Sequence, residues 1–548
     1  MNLLQRLNEL QAEHGWLPRE ALRELSRAEG IALYRLQEVA TFYPHYRLQP
    51  PPRRVVHVCR DAACHIDGAD AYGKDIREAL AADPDVEVHE VSCIGRCEHA
   101  PAAAVDDVPV EGWSAEDVVA AARGEKDLPP DEPTASPRRW PTDPHASADD
   151  HYAVLERLLG DVEAARRDVP EILQTSGLRG MGGAGFPTGL KWRLVRDQAG
   201  DRKVAIVNAD ESEPGTFKDR VILEELAHLV VEGLLIGCLV VGADEAVIYL
   251  RHEYGREGKA IRREIERVRD RGLLEKLGVD LSLFVSPGGY ILGEETALIE
   301  ALEGKRGEPR NKPPFPGQSG VRGRPTLVNN VETYSFVPLI LAEGAEAWQA
   351  HGVRDAAGWK FLSLCGHVEK PGVYCVPLGT TVRELIDEQG GGVRGGLALK
   401  AFSPGGASAP FLPGSSADTA LDFDAMAEAG SMLGSGAVLV IAEGTDMLEL
   451  GLNVTRFFRN ESCGKCVPCR IGTEKAVSLL RRVWLGRAQP KDLDDLHDLE
   501  ETLRLTSICG LGQAALGPAL SVLAHFRADV EAHSDGEAGF AHTRHTRA

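Results

Sequence analysis

Leucine recurs at helical spacing through the first fifty residues, at 3, 4, 7 and 10 and again at 22, 25, 33 and 36. This spacing predicts amphipathic helices, and Pro44 and the prolines at 50–52 end the pattern. Beyond them, RRVVHVC at 53–59 and VEVHEVSC at 86–93 read as strands, and DAYGKDIREALAAD between them reads as a helix. We therefore expect a helical segment at 1–50 and a small α/β domain at 53–125.

The rest of the chain divides by composition and by period. A stretch rich in proline and charge predicts a linker at 126–150. From 151 to 340, strand-like runs (VAIVN, EAVIYL and LFVS) alternate with helical ones, which is typical of an α/β layer fold. Short strands and turns predict a small β-rich domain at 355–435. Long helical patterns follow at 440–532, and a polar tail at 533–548 is expected to be flexible.

Composition restricts the function. The 548 residues carry a formal net charge of −22, which argues against nucleic acid or an anionic membrane surface as a partner. The N-terminus has no uninterrupted apolar run of the kind found in signal peptides. The apolar run at 233–243 is far shorter than the roughly 20 residues of a membrane span, so it reads as a core segment. Eleven cysteines without an export signal predict a reducing cytoplasm, where clustered thiols bind metals or carry redox chemistry.

Four cysteines near the start of the chain form a C-x4-C pair and a C-x3-C pair about thirty residues apart. Each pair follows a predicted strand, so two adjacent strand ends can supply the four thiolates of a [2Fe-2S] cluster. Zinc is the alternative, although its cysteine pairs are usually tighter. The four residues are Cys59, Cys64, Cys93 and Cys97.

A second group begins with ESCGKCVPCRIGT at 461–473, where Cys463, Cys466 and Cys469 form a C-x2-C-x2-C run. A ferredoxin run continues with a cysteine at the position that Thr473 occupies here, so a fourth ligand must come from elsewhere. Cys509 lies forty residues later, after a helical stretch, and a helix hairpin can return it to the first three. This spacing favours [4Fe-4S], with zinc as the alternative. The other three cysteines, Cys238, Cys365 and Cys375, read as small core residues.

A glycine-rich stretch, SGLRGMGGAGFPTGLKW, spans 176–192. Gly180, Gly182 and Gly185 match a dinucleotide-binding pattern, but no apolar strand precedes them, so that interpretation is weak. Such a loop exposes backbone N–H groups and allows a flat ring or a phosphate to approach closely. Lys191 can then balance phosphate charge; a flexible loop without a ligand is the alternative.

Four further segments support a ligand site. VNADESEPGTFKDR places polar residues directly after a predicted strand, where ligand sites of α/β folds form. GGYILGEETALIEALEGKRG leads two glycines into a helix that has acidic residues in its first turn. KPPFP sets an aromatic ring in a proline frame, and LVNNVET offers two amides. The residues concerned are Asn208, Asp210, Glu211, Ser212, Glu213, Gly288, Gly289, Glu294, Glu295, Phe315, Asn329 and Asn330.

Two resemblances join these motifs. CIGRCEHAP, with the helical segment before it, resembles the thioredoxin-like [2Fe-2S] ferredoxins, including the small iron–sulfur subunit of respiratory complex I, over residues 1–125. Residues 165–530 resemble the NADH-binding flavoprotein subunit of complex I and its relatives in soluble hydrogenases and formate dehydrogenases. The resemblance depends on the glycine loop, on NADESEP, on the GEE of GGYILGEETALIEALEGKRG, and on the C-x2-C-x2-C run with its later SICGLG. GHVEKPGVYCVPLGTTVRELI resembles the β-grasp domain of that family, for which we expect a structural role.

The resemblance implies an α/β multidomain chain: a thioredoxin-like domain, a Rossmann-like FMN domain, a β-grasp insert and a C-terminal helical bundle that holds a cluster. It implies FMN near the glycine loop and the strand ends, and NAD(H) lying over the flavin, with Ser212 in the cofactor-binding set. The implied FMN contacts are Gly180, Gly182, Gly183, Lys191, Asn208, Asp210, Glu211, Tyr290, Gly293, Glu294, Asn329, Asn330 and Thr333. The implied NAD(H) neighbours are Phe186, Glu213, Glu295, Lys312 and Phe315.

The chain departs from the family pattern at three positions. Met181 replaces an arginine of the glycine loop, Leu194 stands where an adenine-stacking phenylalanine is common, and Leu292 replaces a cysteine. Because the loop contacts are mostly backbone, we expect flavin binding to survive, whereas the details of adenine stacking are open.

The resemblance implies a diaphorase, a subunit that passes a hydride between NAD(H) and FMN and single electrons through iron–sulfur clusters. Hydride transfer needs no protein acid or base, so Glu295 and Glu213 are expected to orient the reactants. Fusion of both modules in one chain argues against ordinary complex I and resembles the diaphorase subunit of soluble complexes, of which we favour an NAD-dependent formate dehydrogenase, whose other redox subunits handle the second substrate. The alternatives are a NAD-reducing hydrogenase, a complex I-type enzyme, or a non-catalytic iron–sulfur scaffold or redox sensor. No nucleic acid partner and no direct membrane insertion are expected.

Overall fold

The computed structural model describes residues 2–133, 138–200 and 202–534. They form two compact units. The first contains the chain up to Arg53, Pro130–Ser212 and Lys218–Trp359. The second contains Arg54–Pro129, the short segment Glu213–Phe217 and the chain from Lys360 onward.

A four-stranded parallel sheet organises the first unit. Its strands, in spatial order, are Asp280–Val285, Ala243–Leu250, Lys203–Ala209 and Thr326–Asn330. The Lys203–Ala209 strand is almost wholly buried, which explains its unbroken apolar run. The helices and helical turns around the sheet are Ala153–Leu159, Val162–Thr175, Thr188–Arg196, Lys218–Glu225, Ala227–Val241, Gly255–Asp270, Leu273–Leu277, Tyr290–Gly293, Glu295–Leu302, Val321–Gly323, Val331–Glu343 and Ala345–Gln349.

The apolar run predicted to be core lies in the helix Ala227–Val241, every residue of which is buried. A helix that is apolar on all sides must be covered on all sides, and here it packs against Val331–Glu343. A Cβ at Gly233 would lie 2.1 Å from the carbonyl oxygen of Tyr334, so only glycine permits this approach. The two helices form the core that supports the sheet.

The predicted N-terminal helical segment consists of the helices Leu3–His14, Arg19–Glu29 and Leu33–Ala40. It belongs to the first unit. Asn2 caps the first helix and donates from Nδ2 to the carbonyl oxygen of Leu302 at 2.6 Å. Tyr43 donates its hydroxyl to the carbonyl oxygen of Lys305 at 2.5 Å. These hydrogen bonds hold the segment against residues 302–305 of the first unit.

The predicted linker, 126–150, includes packed residues. Trp140 and Thr142 are buried, and Trp140 Nε1 donates to Glu225 Oε2 at 2.6 Å. Residues 134–137 of that prediction lie outside the described residues. The described second half of the segment is therefore fixed against the first unit.

The second unit begins with the predicted small α/β domain. Its sheet has the order Val86–Val91, Arg54–Cys59, Ala103–Val105 and Val108–Val110, and the first two strands are parallel. Because parallel strands end at the same edge, the residues after Cys59 and Val91 meet there. The helices and turns of this part are Ala62–Ile66, Ala69–Leu80, Cys97–His99 and Ala115–Arg123.

A five-stranded sheet forms the β-grasp part of the second unit. Its order is Gly372–Pro377, Trp359–Gly366, Ala437–Ala442, Leu399–Ser403 and Leu412–Pro413. Short helical segments connect the strands: Val382–Glu384, Leu385–Gln389, Arg394–Gly396, Gly414–Ser416 and Phe423–Glu428.

Six helices complete the second unit: Met447–Asn460, Val467–Trp484, Pro490–Thr506, Gly510–Ala514, Gly517–His525 and Arg527–Ser534. The helices Val467–Trp484 and Pro490–Thr506 pack against each other as the predicted hairpin. The predicted tail, 533–548, starts inside the last helix, because His533 is buried and bonds Asp446 from Nε2 at 2.6 Å. The remainder of the tail, 535–548, lies outside the described residues.

Candidate functional site: a flavin-type cleft and two cysteine clusters

The order of the strands in the first unit's sheet predicts where a ligand would bind. The chain runs from Lys203–Ala209 through Ala243–Leu250 to Asp280–Val285 and then returns to Thr326–Asn330, which lies on the other side of Lys203–Ala209. Ligands of such sheets bind beyond the carboxyl ends of the two strands where the direction reverses. Asn208 and Asn330 are paired in register at these ends. The predicted amides and acids therefore meet at one edge.

Asp210 presents an unsatisfied acceptor at this edge. Its Oδ1 accepts from the Ser212 hydroxyl at 2.5 Å, whereas its buried Oδ2 has no hydrogen-bond partner among the described residues. Burial raises the pKa of Asp210 to about 6. Beside it, Asn208 Nδ2 donates to the carbonyl oxygen of Gly293 at 2.8 Å. A buried acceptor without a donor fits a ligand that brings hydroxyl groups, such as the ribityl chain of a flavin.

The glycine loop closes one side of the site. Gly180 N–H donates to the carbonyl oxygen of Phe186 at 2.8 Å, which folds the loop back on itself. A Cβ at Gly182 would lie 3.0 Å from Asn330 Cβ, and Gly183 has φ +116°, which favours glycine. Without side chains at these glycines, the loop backbone lies close to Asn330 at the strand end. A flat ring could lie directly against such a backbone.

Two residues outside the glycines fix this loop. The Met181 N–H donates to Thr333 Oγ1 at 2.9 Å, and Met181 is itself buried. Trp192 Nε1 donates to Asn329 Oδ1 at 3.1 Å. Methionine in place of the family's arginine at position 181 therefore packs in the interior, and its backbone N–H still bonds Thr333.

Two lysines and two glutamates line another side. Glu294 caps the helix Glu295–Leu302 by accepting from the backbone of Thr296 at 3.0 Å. Lys312 Nζ lies 3.0 Å from Glu294 and 3.1 Å from Glu295. Burial opposes its charge, but these carboxylates raise the pKa of Lys312. Lys191 Nζ donates to the carbonyl oxygen of Val328 at 2.8 Å, and burial lowers the pKa of Lys191.

Exposed apolar side chains accompany the site. Phe186 is 42% exposed, Phe315 is 56% exposed and Leu194 is 49% exposed. Leu292, the other departure, is fully buried against Gly307. Tyr290 is half-buried in the helical turn Tyr290–Gly293. Exposed aromatic rings beside a polar cleft suit stacking on a base or a nicotinamide.

Glu211 and Glu213 occupy different environments. Glu211 accepts from the backbone N–H groups of Asp219 at 2.8 Å and Arg220 at 3.0 Å, and from the Tyr254 hydroxyl at 2.8 Å. Burial is the main cause that raises its pKa to about 8. Glu213 lies in the segment that belongs to the second unit, where its Oε1 accepts from the Ser408 N–H at 2.7 Å. Glu211 thus holds a helix start, and both ligand roles stay predictions.

A buried charge cluster behind the site was missed by sequence reasoning. Lys218 Nζ lies 2.5 Å from Asp219 Oδ1 and 2.9 Å from Glu332 Oε2, and all three side chains are at most 4% exposed. Asn330 Nδ2 donates to Asp219 Oδ2 at 2.6 Å. The cluster therefore fixes one of the predicted ligand amides. Its three residues lie within the quoted motifs VNADESEPGTFKDR and LVNNVET, but no local pattern indicates that they meet.

The four N-terminal cysteines come together as predicted. All four are buried, and Cys93 Sγ lies 3.4 Å from Cys97 Sγ. Hydrogen bonds with Cys64 and Cys93, followed by burial, raise the pKa of Cys59. Four thiols packed at the ends of two parallel strands fit a [2Fe-2S] cluster.

Two donors and a fifth thiol surround this cluster. The N–H groups of Gly95 and Gly215 approach Cys93 and Cys97 at 3.4 Å each. Cys365 is fully buried, as expected of a core residue, but burial and the nearby Cys93 raise the pKa of its thiol, and its Sγ lies 3.9 Å from the carbonyl oxygen of Gly215. Sequence reasoning placed Cys365 alone, because the strand Trp359–Gly366 is distant in the chain.

The C-terminal cysteines gather around the start of the helix Val467–Trp484. Cys466 is its N-cap residue, and the Cys469 thiol interacts with both Cys466 and Cys463. Ser462 Oγ lies 3.2 Å from Cys469 Sγ. Cys509 is the N-cap of the helix Gly510–Ala514, which packs on Val467–Trp484. A Cβ at Gly512 would lie 3.0 Å from Cys469 Cβ, so the hairpin returns Cys509 to this region.

These features define an iron–sulfur flavoprotein, with a flavin-type cleft in one unit and two cysteine clusters in the other. Four family models match the chain: thioredoxin-like [2Fe-2S] ferredoxin (1–124), Nuo51 FMN-binding domain (173–339), SLBB domain (362–412) and NADH-ubiquinone oxidoreductase-F iron-sulfur binding region (449–533).

Curated relatives and solved structures agree with the family models. An NADH-quinone oxidoreductase F-type subunit of Rhizobium meliloti is 42% identical over 388 residues, which are 70% of this chain and 92% of that protein. The NADP-reducing hydrogenase subunit HndC of Solidesulfovibrio fructosivorans is 40% identical over 404 residues, 72% of this chain and 82% of that protein. A chain of an air-oxidised NAD⁺-reducing [NiFe]-hydrogenase matches with TM-score 0.85 and 31% identity, over 97% of this chain and 96% of that one.

The chain belongs to the family of NADH-quinone oxidoreductase F-type subunits. It is an NADH dehydrogenase-type flavin oxidoreductase subunit, and its cofactors are FMN, NAD(H), a [4Fe-4S] cluster and a [2Fe-2S] cluster. None of the described helices has the length and apolar character needed to cross a membrane.

Proposed function

We propose that this chain is the diaphorase subunit of a larger redox complex, exchanging electron pairs with NAD(H) and single electrons with partner subunits. The observation that carries the proposal is the fusion of both redox modules in one chain. The likeness to the chain from the NAD⁺-reducing hydrogenase structure covers 97% of this chain, including the N-terminal [2Fe-2S] module. A scaffold or redox sensor without catalysis would not need the orphaned acceptor at Asp210 and the paired charges around Lys312.

Residues at the strand ends and in the glycine loop would hold FMN. When bound, FMN exchanges a hydride with nicotinamide and single electrons with iron–sulfur centres. Asp210 Oδ2 would accept from a flavin hydroxyl, the glycine loop would lie against the ring, and Lys191 would balance the phosphate. The proposed set is Gly180, Gly182, Gly183, Lys191, Asn208, Asp210, Glu211, Ser212, Tyr290, Gly293, Glu294, Asn329, Asn330 and Thr333.

NAD(H) would be held by the exposed rings and by the charged side chains. Phe186 and Phe315 expose faces on which an adenine or a nicotinamide can stack. Glu295 is held by Lys312 at 3.1 Å, which fixes the carboxylate for hydrogen bonding to a ribose or a carboxamide. We retain Glu295 and Glu213 as orienting groups that position the dinucleotide without taking a proton.

The eight clustered cysteines would ligate iron. Cys59, Cys64, Cys93 and Cys97 would hold the [2Fe-2S] cluster, and Cys463, Cys466, Cys469 and Cys509 the [4Fe-4S] cluster. Thiolates that ligate iron must stay reduced, so we propose the cytoplasm as the protein's compartment.

The partner subunit's substrate defines the complex. The fused chain suggests a soluble complex, and our first candidate is an NAD-dependent formate dehydrogenase, in which formate is oxidised on a partner. A NAD-reducing hydrogenase is the second candidate, because two solved structures of a NAD⁺-reducing [NiFe]-hydrogenase match nearly the whole chain. In either complex this chain would take the same role.

The test is purification of the native complex through a tag on this chain, without oxygen. The proposal predicts NADH-dependent ferricyanide reduction by the chain, strongly reduced in Glu295→Gln and unchanged in Glu346→Gln, a distant surface carboxylate. Reduction of NAD⁺ by formate identifies the first candidate, and reduction by hydrogen identifies the second. A purified complex without NADH:ferricyanide activity would overturn the proposal.

A further inference from the structure

A short segment from the middle of the chain lies against the cysteines assigned to the [2Fe-2S] cluster. Residues 213–217 belong to the second unit, whereas the chain directly before and after them belongs to the first. The Gly215 N–H donates to Cys97 Sγ at 3.4 Å, although 118 positions separate the two residues. The C-x3-C loop also has a donor of its own, because the Gly95 N–H donates to Cys93 Sγ at 3.4 Å. The cysteines of this pair therefore receive one N–H group from their own loop and one from a distant part of the chain.

Hydrogen bonds with the β-grasp part hold the segment on both sides of Gly215. Before it, the carbonyl oxygen of Pro214 accepts from the Ala407 N–H at 3.2 Å. After it, the Phe217 N–H donates to Ser363 Oγ at 3.0 Å. Phe217 and Ser363 are fully buried, so water does not compete for this bond. The β-grasp part therefore fixes the direction in which the Gly215 N–H points.

Gly215 has a backbone conformation that alanine adopts only with strain. Its φ is +93°, in the left-handed region that favours glycine. A Cβ at this position would lie 3.7 Å from Ala437 Cβ and 4.0 Å from Cys365 Sγ, which are ordinary contact distances. The backbone angle that aims the N–H at Cys97, rather than lack of space, therefore requires glycine here.

We propose that the Gly215 N–H is an outer hydrogen-bond donor to the [2Fe-2S] cluster that raises the reduction potential of this cluster, and that the β-grasp part holds the donor in place. Hydrogen bonds to the sulfurs are among the factors that set the potential of such clusters. The reduced cluster carries one more negative charge than the oxidised cluster, so an N–H donor on a ligand sulfur stabilises the reduced state more. The inference rests on the proposed function, in which Cys97 ligates iron.

A redox titration of the full-length Gly215→Ala variant, monitored by EPR without oxygen, tests the proposal. Because alanine disfavours a φ of +93°, the peptide should turn and withdraw its N–H from Cys97. At a fixed potential the ratio of reduced to oxidised [2Fe-2S] cluster should fall about three- to tenfold, the change expected for one hydrogen bond. For a one-electron couple this is a shift of about 30–60 mV to lower potential. The [4Fe-4S] cluster in the same sample should keep its potential.

Gly444→Ala is the matched control for backbone strain. Gly444 also has a φ of +93°, and a Cβ at this exposed position would lie in open space. The substitution therefore imposes the same strain away from the cysteines, and it should leave the [2Fe-2S] potential at the wild-type value. An equal shift in both variants would show a general effect of strain and would overturn the proposal.

Pulsed EPR of the wild-type chain labelled with ¹⁵N-glycine detects the donor directly, and it serves if Gly215→Ala fails to retain the cluster. The spectrum is recorded on the reduced [2Fe-2S] cluster, at a temperature at which the [4Fe-4S] signal is broadened beyond detection. It should show two ¹⁵N couplings, one from Gly95 and one from Gly215. Gly215→Ala, made with unlabelled alanine, should lose one of them.

The failure of this inference and the failure of the proposed function give different results. A single ¹⁵N coupling in the wild type, or an unchanged [2Fe-2S] potential in Gly215→Ala, would overturn the inference alone. A wild-type chain that holds FMN and the [4Fe-4S] cluster but gives no [2Fe-2S] signal would contradict the assignment of the N-terminal cysteines, and the inference with it.

Discussion

Replacing Lys218 by methionine tests how the charge cluster behind the cleft supports the site. Lys218 is the cation shared by Asp219 and Glu332, at 2.5 and 2.9 Å, and the three side chains are 1%, 4% and 0% exposed. Although burial disfavours its charge, these carboxylates raise the pKa of Lys218. Methionine keeps most of the apolar stem, is one atom shorter, and removes the ammonium group with its charge and its hydrogen bonds.

The expected cost follows from the charges left behind. Removing one partner of a buried ion pair costs about 3–5 kcal/mol, because the remaining carboxylates are buried without compensation. At about 2–4 °C per kcal/mol, the thermal transition of the flavin-type unit should fall by roughly 6–20 °C. Since Asp219 also holds Asn330, retention of FMN should fall with it.

Calorimetry of the variant, with flavin fluorescence on the same samples, measures both effects. The matched control is Arg263→Met, which breaks a pair with Glu132 at 2.9 Å whose side chains are both 60% exposed, and it should cost at most about 1 kcal/mol. Adding Glu332→Gln to Lys218→Met should recover part of the loss. If Lys218→Met and Arg263→Met destabilise equally, the reasoning is refuted.

Three further predictions concern the cofactor sites. Burial raises the pKa of Asp210 to about 6, so ionising this carboxyl lowers the free energy of unfolding of the apoprotein by about 3 kcal/mol as pH rises from about 4 through 6. Asp210→Asn should therefore stabilise the apoprotein at pH 7.5 in urea unfolding and weaken FMN binding. Equal urea midpoints for the two proteins would contradict this. Ser462→Ala removes the hydroxyl 3.2 Å from Cys469 Sγ and should lower the reduction potential of the [4Fe-4S] cluster in an EPR-monitored titration, whereas Ser147→Ala should not. Cys509→Ala should lose the [4Fe-4S] signal and keep the [2Fe-2S] signal; retention of both would exclude Cys509 as a ligand.

Much of the fold could be predicted, because the candidate functional residues directly follow apolar runs that form buried strands. The apolar runs before Asn208 and Cys59 are buried strands, and the polar or thiol residues that follow them lie at sheet edges. The order of the parallel sheet then brings Asn330 beside Asn208, although 122 positions separate their numbers. The sequence motifs and the sheet edge therefore agree.

The remainder depends on packing that no local pattern reports. No local pattern marks Glu332 in LVNNVET as buried, yet its side chain is fully buried and pairs with Lys218 at 2.9 Å. Trp140 and Asp143 lie in a stretch whose prolines and charges predict a linker, yet Trp140 bonds Glu225 and Asp143 bonds His228 of the buried helix Ala227–Val241, two contacts that no local pattern shows. Cys365 meets the N-terminal cysteines through a β-grasp strand distant in the chain.

The central claim is that one chain joins NAD(H), a flavin and two iron–sulfur clusters, and titration with NADH without oxygen tests it most directly. The purified chain should contain about one FMN and about six iron atoms, two for one cluster and four for the other. NADH should bleach the flavin absorbance and produce the EPR signal of at least one reduced cluster. A chain that carries both clusters but binds no FMN, or whose flavin NADH leaves oxidised, would contradict the account.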